Sequence, residues 1–140
     1  MTALTASIDL TAAPIGRASL WTARIVGGFG VAFLLFDVVL KVLQLPPAME
    51  SSVALGIPAA AVLWVGLIEL ACLALYLWPR TAPVGAVLFT GYLGGAIATH
   101  MANESPLLTH LLFPLYVATM LWLPLYLRDA RVRALVRAAR

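Results

Sequence analysis

The sequence predicts an all-α membrane protein, a polytopic four-helix bundle with both termini in the cytoplasm. Three observations lead to this fold class: the composition, four long apolar segments, and the placement of the arginines. Apolar residues make up 63% and charged residues 11% of the 140 residues, against about 45–50% and about 25% in soluble domains. A soluble domain of this size would expose large apolar patches and aggregate.

Each of the four apolar segments has close to the ~20 residues that cross a hydrocarbon core about 30 Å thick. Proline limits their extent, because Pro46 and Pro79 follow the first and second segments and a helix does not readily continue through proline. In the fourth segment Pro114 and Pro124 are interior and can kink the helix. The predicted spans cover residues 21–43, 57–78, 83–101 and 107–127.

The segments outside the spans are short. Residues 1–20 form a flexible amino-terminal extension without the apolar core of a signal peptide, and residues 129–140 form a basic cytoplasmic tail. The tail either lies on anionic lipid head groups or acts as a simple orientation signal.

Basic residues lie almost entirely at one end of the predicted bundle. The other end has only Lys41, near Glu50 and Glu104. Since loops on the cytoplasmic side are enriched in lysine and arginine, both termini are expected in the cytoplasm. The basic residues flank apolar segments, which excludes a nucleic-acid-binding face. The arginines are Arg17, Arg24, Arg80, Arg128, Arg131, Arg133, Arg137 and Arg140.

Besides Arg24 at the start of the first span, three charged residues lie within the predicted spans. Asp37 and Lys41 are four residues apart, so they share a helix face and can pair. Glu69 is near the middle of the second span, where burial disfavours the charged form, and we expect it to be protonated or hydrogen-bonded. Charge at this depth costs on the order of 2.5–3.5 kcal/mol and indicates a functional site by default. The alternative is a neutral glutamate that hydrogen-bonds between helices for packing.

His100 ends the third span and His110 begins the fourth, at the same end as Asp37 and Lys41. An antiparallel bundle can gather these residues around an outward-facing polar cup with Glu69 at its floor. Imidazoles titrate near neutral pH, so the cup has the parts for proton exchange, although it can equally be a hydrogen-bonded plug. No catalytic residue is assigned. The candidate cavity residues are Asp37, Lys41, Glu69, Tyr92, His100, Asn103 and His110.

Metal and thiol chemistry have little support in the sequence. Two histidines are too few to define a zinc site, and no metal site is predicted. Haem could be ligated only by the same two histidines. Cys72 is the only cysteine, so no internal disulfide can form. In the third span, Gly91 and Gly95 have the small-xxx-small spacing of helix packing, and a homo-oligomer can form through them.

Several segments resemble the DoxX-like family of small bacterial membrane proteins, over about residues 20–135. Asp37 and Lys41 stand where such proteins often have an aspartate and a lysine on the first span. The segments are LYLWPRTA (75–82), TGYLGGA (90–96), TH (99–100), HLLFPLY (110–116) and LYLRD (125–129).

The resemblance implies a four-helix bundle in the cell inner membrane. The family name derives from subunits associated with quinone-linked sulfur and respiratory oxidation, and other members are linked to redox homeostasis. The bundle is similar in shape to vitamin K epoxide reductase, but this chain lacks the paired cysteines of that enzyme. Thiol–disulfide chemistry within the chain is therefore not expected.

The predicted function is a redox-associated membrane protein that binds a quinone or similar lipophilic small molecule in the polar cup. One alternative is a non-catalytic scaffold or interaction subunit, and a weaker one is a small-solute or proton transporter. Whether the chain catalyses a reaction is left open. The expected partners are the lipid bilayer, a lipophilic small molecule, redox proteins and further copies of the chain, but not nucleic acid.

Overall fold

The computed structural model describes residues 16–138. Of these residues 85% are helical, and none forms a strand. Four segments are long and apolar enough to cross a membrane, which confirms the predicted all-α fold with four membrane-spanning helices. The helices are α1 (Arg17–Val42), α2 (Pro46–Ala54), α3 (Ala59–Leu77), α4 (Ala82–Ala102), α5 (Phe113–Arg128) and α6 (Ala130–Ala138), with a π-helical turn at Leu107–Leu111 before α5.

The four spans form a closed ring in which sequential neighbours pack together. α1 contacts α3, α3 contacts α4, α4 contacts α5, and α5 returns to α1. Fully buried side chains from all four helices fill the centre, among them Leu34, Leu73, Phe89 and Leu121. The outer faces carry large exposed apolar side chains, as expected of helices that face hydrocarbon.

The ends of the first span differ from the prediction. α1 begins at Arg17 instead of residue 21. The predicted flexible extension otherwise lies outside the described residues, as do the last two residues of the predicted tail. After α1 the chain turns at Gln44, which has a positive φ of 51°. Pro46 and Pro47 then open α2, where the missing N–H of proline costs nothing.

Proline also divides the fourth span. Leu107–Leu111 is a π-helical turn, and α5 starts anew at Phe113 with Pro114 in its first turn. Pro114 therefore begins a helix instead of kinking one, while Pro124 lies inside α5, buried against α1.

The tail folds as α6 and is held by a group of contacts that we call the carboxyl-terminal joint, formed by Asp129, Arg131 and Pro79. The Asp129 carboxylate accepts a hydrogen bond from the backbone N–H of Arg131 at 2.9 Å, which caps the start of α6. The Arg131 guanidinium donates to Asp129 at 2.7 Å and to the Pro79 carbonyl oxygen at 3.0 Å. These bonds tie α6 to the turn between α3 and α4.

Candidate functional site

Four of the predicted site residues meet inside the bundle and form what we call the lysine cluster: Asp37, Lys41, Glu69 and Tyr92. Lys41 Nζ donates to Asp37 Oδ2, to Glu69 Oε2 at 2.9 Å and to the Tyr92 hydroxyl oxygen at 2.9 Å. The Tyr92 hydroxyl donates in turn to Glu69 Oε2 at 2.7 Å. The lysine cluster therefore joins three spans, α1, α3 and α4.

Gly66 lets α1 come close enough to α3 for this cluster to form. A Cβ at position 66 would lie 2.8 Å from Lys41 Cβ and 3.2 Å from the backbone nitrogen of Val42. Gly66 lies three residues before Glu69, on the same helix face. The sequence interpretation did not single it out, although a glycine one turn from an intramembrane acid was the available signal.

Every proton of the Lys41 ammonium group is used within the cluster. An ammonium has three donors, and they go to Asp37, Glu69 and Tyr92. The Glu69 side chain is fully buried, and its Oε1 has no hydrogen-bond partner among the described residues. Glu69 Oε1 is therefore the atom of the cluster that can bind a proton or accept a further hydrogen bond.

A cavity of about 400 Å³ lies between α3 and α4, next to the lysine cluster. Lys41 and Tyr92 contribute its polar wall, and Glu69 lies behind them. Val65, Ile68 and Ala96 contribute apolar wall, and α2 borders the cavity with Ser51 and Ser52. The cavity therefore combines apolar surface with one buried polar wall.

Gly91 and Gly95 line this cavity. Beyond their own helix, no atom lies within 4 Å of a Cβ built at either position. At these two positions the α4 wall of the cavity carries no side chain. Packing between copies through these glycines stays a prediction.

The two histidines form a separate group at the end of the bundle. Their ring centroids are 5.7 Å apart. His100 Nδ1 lies 3.1 Å from Ser105 Oγ, and His110 Nδ1 lies 2.8 Å from Thr109 Oγ1. His100 lines the cavity, whereas His110 is exposed and does not.

Asn103 has a structural contact. Its amide donates to the carbonyl oxygens of Leu55 at 3.0 Å and Thr99 at 2.9 Å, which ties the segment after α2 to the end of α4. The predicted cup is therefore divided. The cluster holds four of the seven candidates, and of the remaining three only His100 reaches the cavity.

The described residues hold no group of three or more histidine, cysteine, aspartate or glutamate side chains that could bind a metal ion. Cys72 is buried and unpaired. The chemistry that residues 16–138 offer is proton exchange and hydrogen bonding at the lysine cluster, beside a cavity with mainly apolar walls.

The sequence model described as the DoxX-like family matches residues 25–123. This range contains the whole lysine cluster and both histidines. No curated protein and no solved structure matches the chain.

Proposed function

This chain belongs to the DoxX-like family of membrane proteins, and from this premise we propose that it binds a lipophilic small molecule in the cavity between α3 and α4. The proposed ligand has a neutral polar head group, such as that of a quinone, which would make the protein redox-associated. We also propose that it is a multi-pass protein of the bacterial inner membrane with its arginine-rich end in the cytoplasm. Eight of its nine basic residues at one end support this orientation.

One observation supports the proposal most directly: a cavity with mainly apolar walls lies next to the buried lysine cluster. Ligand sites are typically cavities of about 300–1,000 Å³ with mostly apolar walls and a few placed polar groups. The cavity of about 400 Å³ falls in this range. Exposed Ile68 at its border, and the missing side chains at Gly91 and Gly95, favour entry from the hydrocarbon region.

The charges of the lysine cluster favour a neutral head group over an anion. Lys41 is the one cation of the cluster, and it is bonded to two carboxyl groups. A ligand carboxylate or phosphate would meet these acids without a free positive charge to bind. A ligand carbonyl or hydroxyl oxygen can instead accept a hydrogen bond from Ser52 or His100, which both line the cavity.

A matched pair of glycine variants tests the proposal. Gly95 lines the cavity and Gly94 does not, and both have open space around a built Cβ. Gly95→Leu should fill the cavity without disturbing the backbone, and Gly94→Leu should place the same side chain outside it. Binding of a short-chain ubiquinone analogue would be measured in lipid nanodiscs by quenching of the four tryptophans.

We expect saturable quenching for the natural protein and for Gly94→Leu. Gly95→Leu should bind the quinone analogue at least about tenfold more weakly, a loss of at least about 1.4 kcal/mol of binding free energy. Equal affinity in the two variants would place the ligand elsewhere. No quenching at saturating lipid-phase concentration would refute quinone binding.

A second candidate function, an interaction subunit without its own chemistry, is favoured by α6. This short helix exposes Leu135 and Val136 beside Arg137. Under this hypothesis, deleting residues 131–140 abolishes co-purification of partner proteins, while Glu69→Gln leaves it unchanged. Partners that still co-purify with the truncated chain would contradict it.

A further inference from the structure

The arginine-rich end of the bundle has two neighbouring surface cavities, far along the spans from the lysine cluster. Their volumes are about 360 and 280 Å³, and they share Tyr76, Leu77 and Arg128 in their walls. The larger cavity extends to the carboxyl-terminal joint. The smaller one extends along α1, from Arg24 through Gly27 and Gly28 to Val31.

Two arginines in these walls have no acidic partner among residues 16–138. Arg131 is paired with Asp129, which neutralises that carboxylate. None of the ion pairs among residues 16–138 includes Arg24 or Arg128. The Arg24 guanidinium lies 5.3 Å from the ring centroid of Trp21, at the end of the span. The shared site thus carries two uncompensated positive charges.

An apolar groove leads away from these charges along the membrane-spanning part of α1. Arg24 and Val31 are seven residues apart, a rise of about 10 Å along a helix. No atom of the described part of the chain lies within 4 Å of a Cβ built at Gly28, so the groove is open at that point. The wall on the α3 side is formed by Leu77 and the ring of Tyr76, whose hydroxyl is already bonded to the Leu121 carbonyl oxygen at 2.8 Å.

We propose that this site binds an anionic phospholipid of the surrounding membrane. Arg24 and Arg128 hold its phosphate, because guanidinium groups bind phosphate oxygens with charge-assisted, often paired hydrogen bonds. An acyl chain lies along the groove past Gly28 and Val31. Basic pockets at the ends of membrane helices recognise lipid head groups in this manner. The groove favours a lipid over free phosphate, because an inorganic phosphate ion would leave the groove empty.

The test is phosphatidylglycerol binding by the full chain in a neutral detergent, with bound lipid counted by native mass spectrometry. The variants are Arg24→Gln and Arg128→Gln. Arg137→Gln is the matched control, because it removes the same charge at the same end but lines neither cavity. Gly28→Leu fills the groove and leaves both arginines in place.

We expect one phosphatidylglycerol to bind the natural protein and Arg137→Gln with equal affinity. Binding should be about tenfold weaker in each site variant and in Gly28→Leu, equivalent to about 1.4 kcal/mol. Phosphatidylcholine should bind more weakly than phosphatidylglycerol.

Four results would overturn the proposal. An equal loss in all three arginine variants would indicate diffuse attraction. Full binding by Gly28→Leu, or displacement of the lipid by equimolar inorganic phosphate, would show that the groove holds no acyl chain. Equal binding of phosphatidylcholine would remove the role of the two charges.

Discussion

The lysine cluster and the carboxyl-terminal joint each pair a cation with carboxylate groups, but at very different depths. In the lysine cluster Glu69 is 0% and Lys41 15% exposed, and the bonds join three spans. At the joint Arg131 is 52% exposed and binds one aspartate and backbone carbonyl oxygens at the end of the bundle. Depth, more than geometry, is therefore expected to set the energetic weight of these two ion pairs.

The physical reason is the cost of leaving a charge unpaired. Removing one member of a buried pair leaves the other uncompensated in a low-dielectric interior. At an exposed pair, water and salt replace the lost partner. The two regions are therefore expected to respond to equivalent substitutions in different ways.

The largest effect is expected for Lys41→Met. Loss of the ammonium leaves the Asp37 and Glu69 carboxyl groups close together without a cation, and should lower the free energy of unfolding by about 3–5 kcal/mol. Reversible unfolding in mixed detergent micelles measures it. Arg131→Met serves as the control at the joint and should have a much smaller effect. Similar losses for the two variants would contradict the role given to depth.

A double variant separates lost charge pairing from lost packing. If the unpaired Glu69 carboxyl causes the loss, Lys41→Met combined with Glu69→Gln should be more stable than Lys41→Met alone. A double variant that recovers nothing would indicate that the Lys41 stem, and not its charge, stabilises the bundle.

The second effect concerns the helix spacing that the cluster requires. Gly66→Ala places a Cβ against the α1 backbone at Lys41 and Val42. Overpacking of this kind typically costs about 1–3 kcal/mol. The control is Gly94→Ala, where a Cβ meets nothing within 4 Å; there alanine should stabilise the helix by up to about 1 kcal/mol. Equal thermal stability of the two variants would count against a spacing role for Gly66.

The spans and the members of the lysine cluster could be predicted from the sequence because hydrocarbon leaves few choices. A segment of about 20 apolar residues is typically a membrane-spanning helix. Asp37, Lys41 and Glu69 within such segments must turn toward protein and toward one another. Depth and helix face alone bring these side chains together, and Tyr92 lies on α4 at a matching depth.

Features that depend on helix rotation and packing could not be predicted in the same way. The spacing of Gly91 and Gly95 predicts helix packing. In the structure, however, Gly66 and Gly85 are the glycines that pack closely against the backbone of a neighbouring helix. α2 was missed because Pro46-Pro47 stops one helix and starts another equally well. His110 lies in the π-helical turn before α5 and does not line the cavity, and the apolar pattern does not reveal that turn.

A third effect, smaller than that of Gly66→Ala, is expected for Tyr92→Phe. The substitution removes a hydroxyl that bonds to Lys41 and Glu69 but leaves the ion pairs in place. Hydrogen bonds between membrane helices average about 0.6 kcal/mol and reach about 1.7 kcal/mol. The free energy of unfolding in mixed micelles should fall within this range. A loss as large as that of Lys41→Met would mean that the hydroxyl, and not the ammonium, organises the cluster.

The smallest effect is expected at the joint, and it depends on pH. Hydrogen bonds from Arg131 hold the pKa of the Asp129 carboxyl below its usual value. The carboxylate therefore contributes stability that is present above about pH 3.9, the value of an unfolded aspartate, and is lost as the pH falls through the lower native value. Asp129→Asn keeps a good helix cap and removes only the charge. The difference in unfolding free energy between the natural protein and Asp129→Asn should thus be small at neutral pH and vanish in acid. A difference that persists unchanged below the native pKa would show that the contribution of Asp129 does not come from its charge.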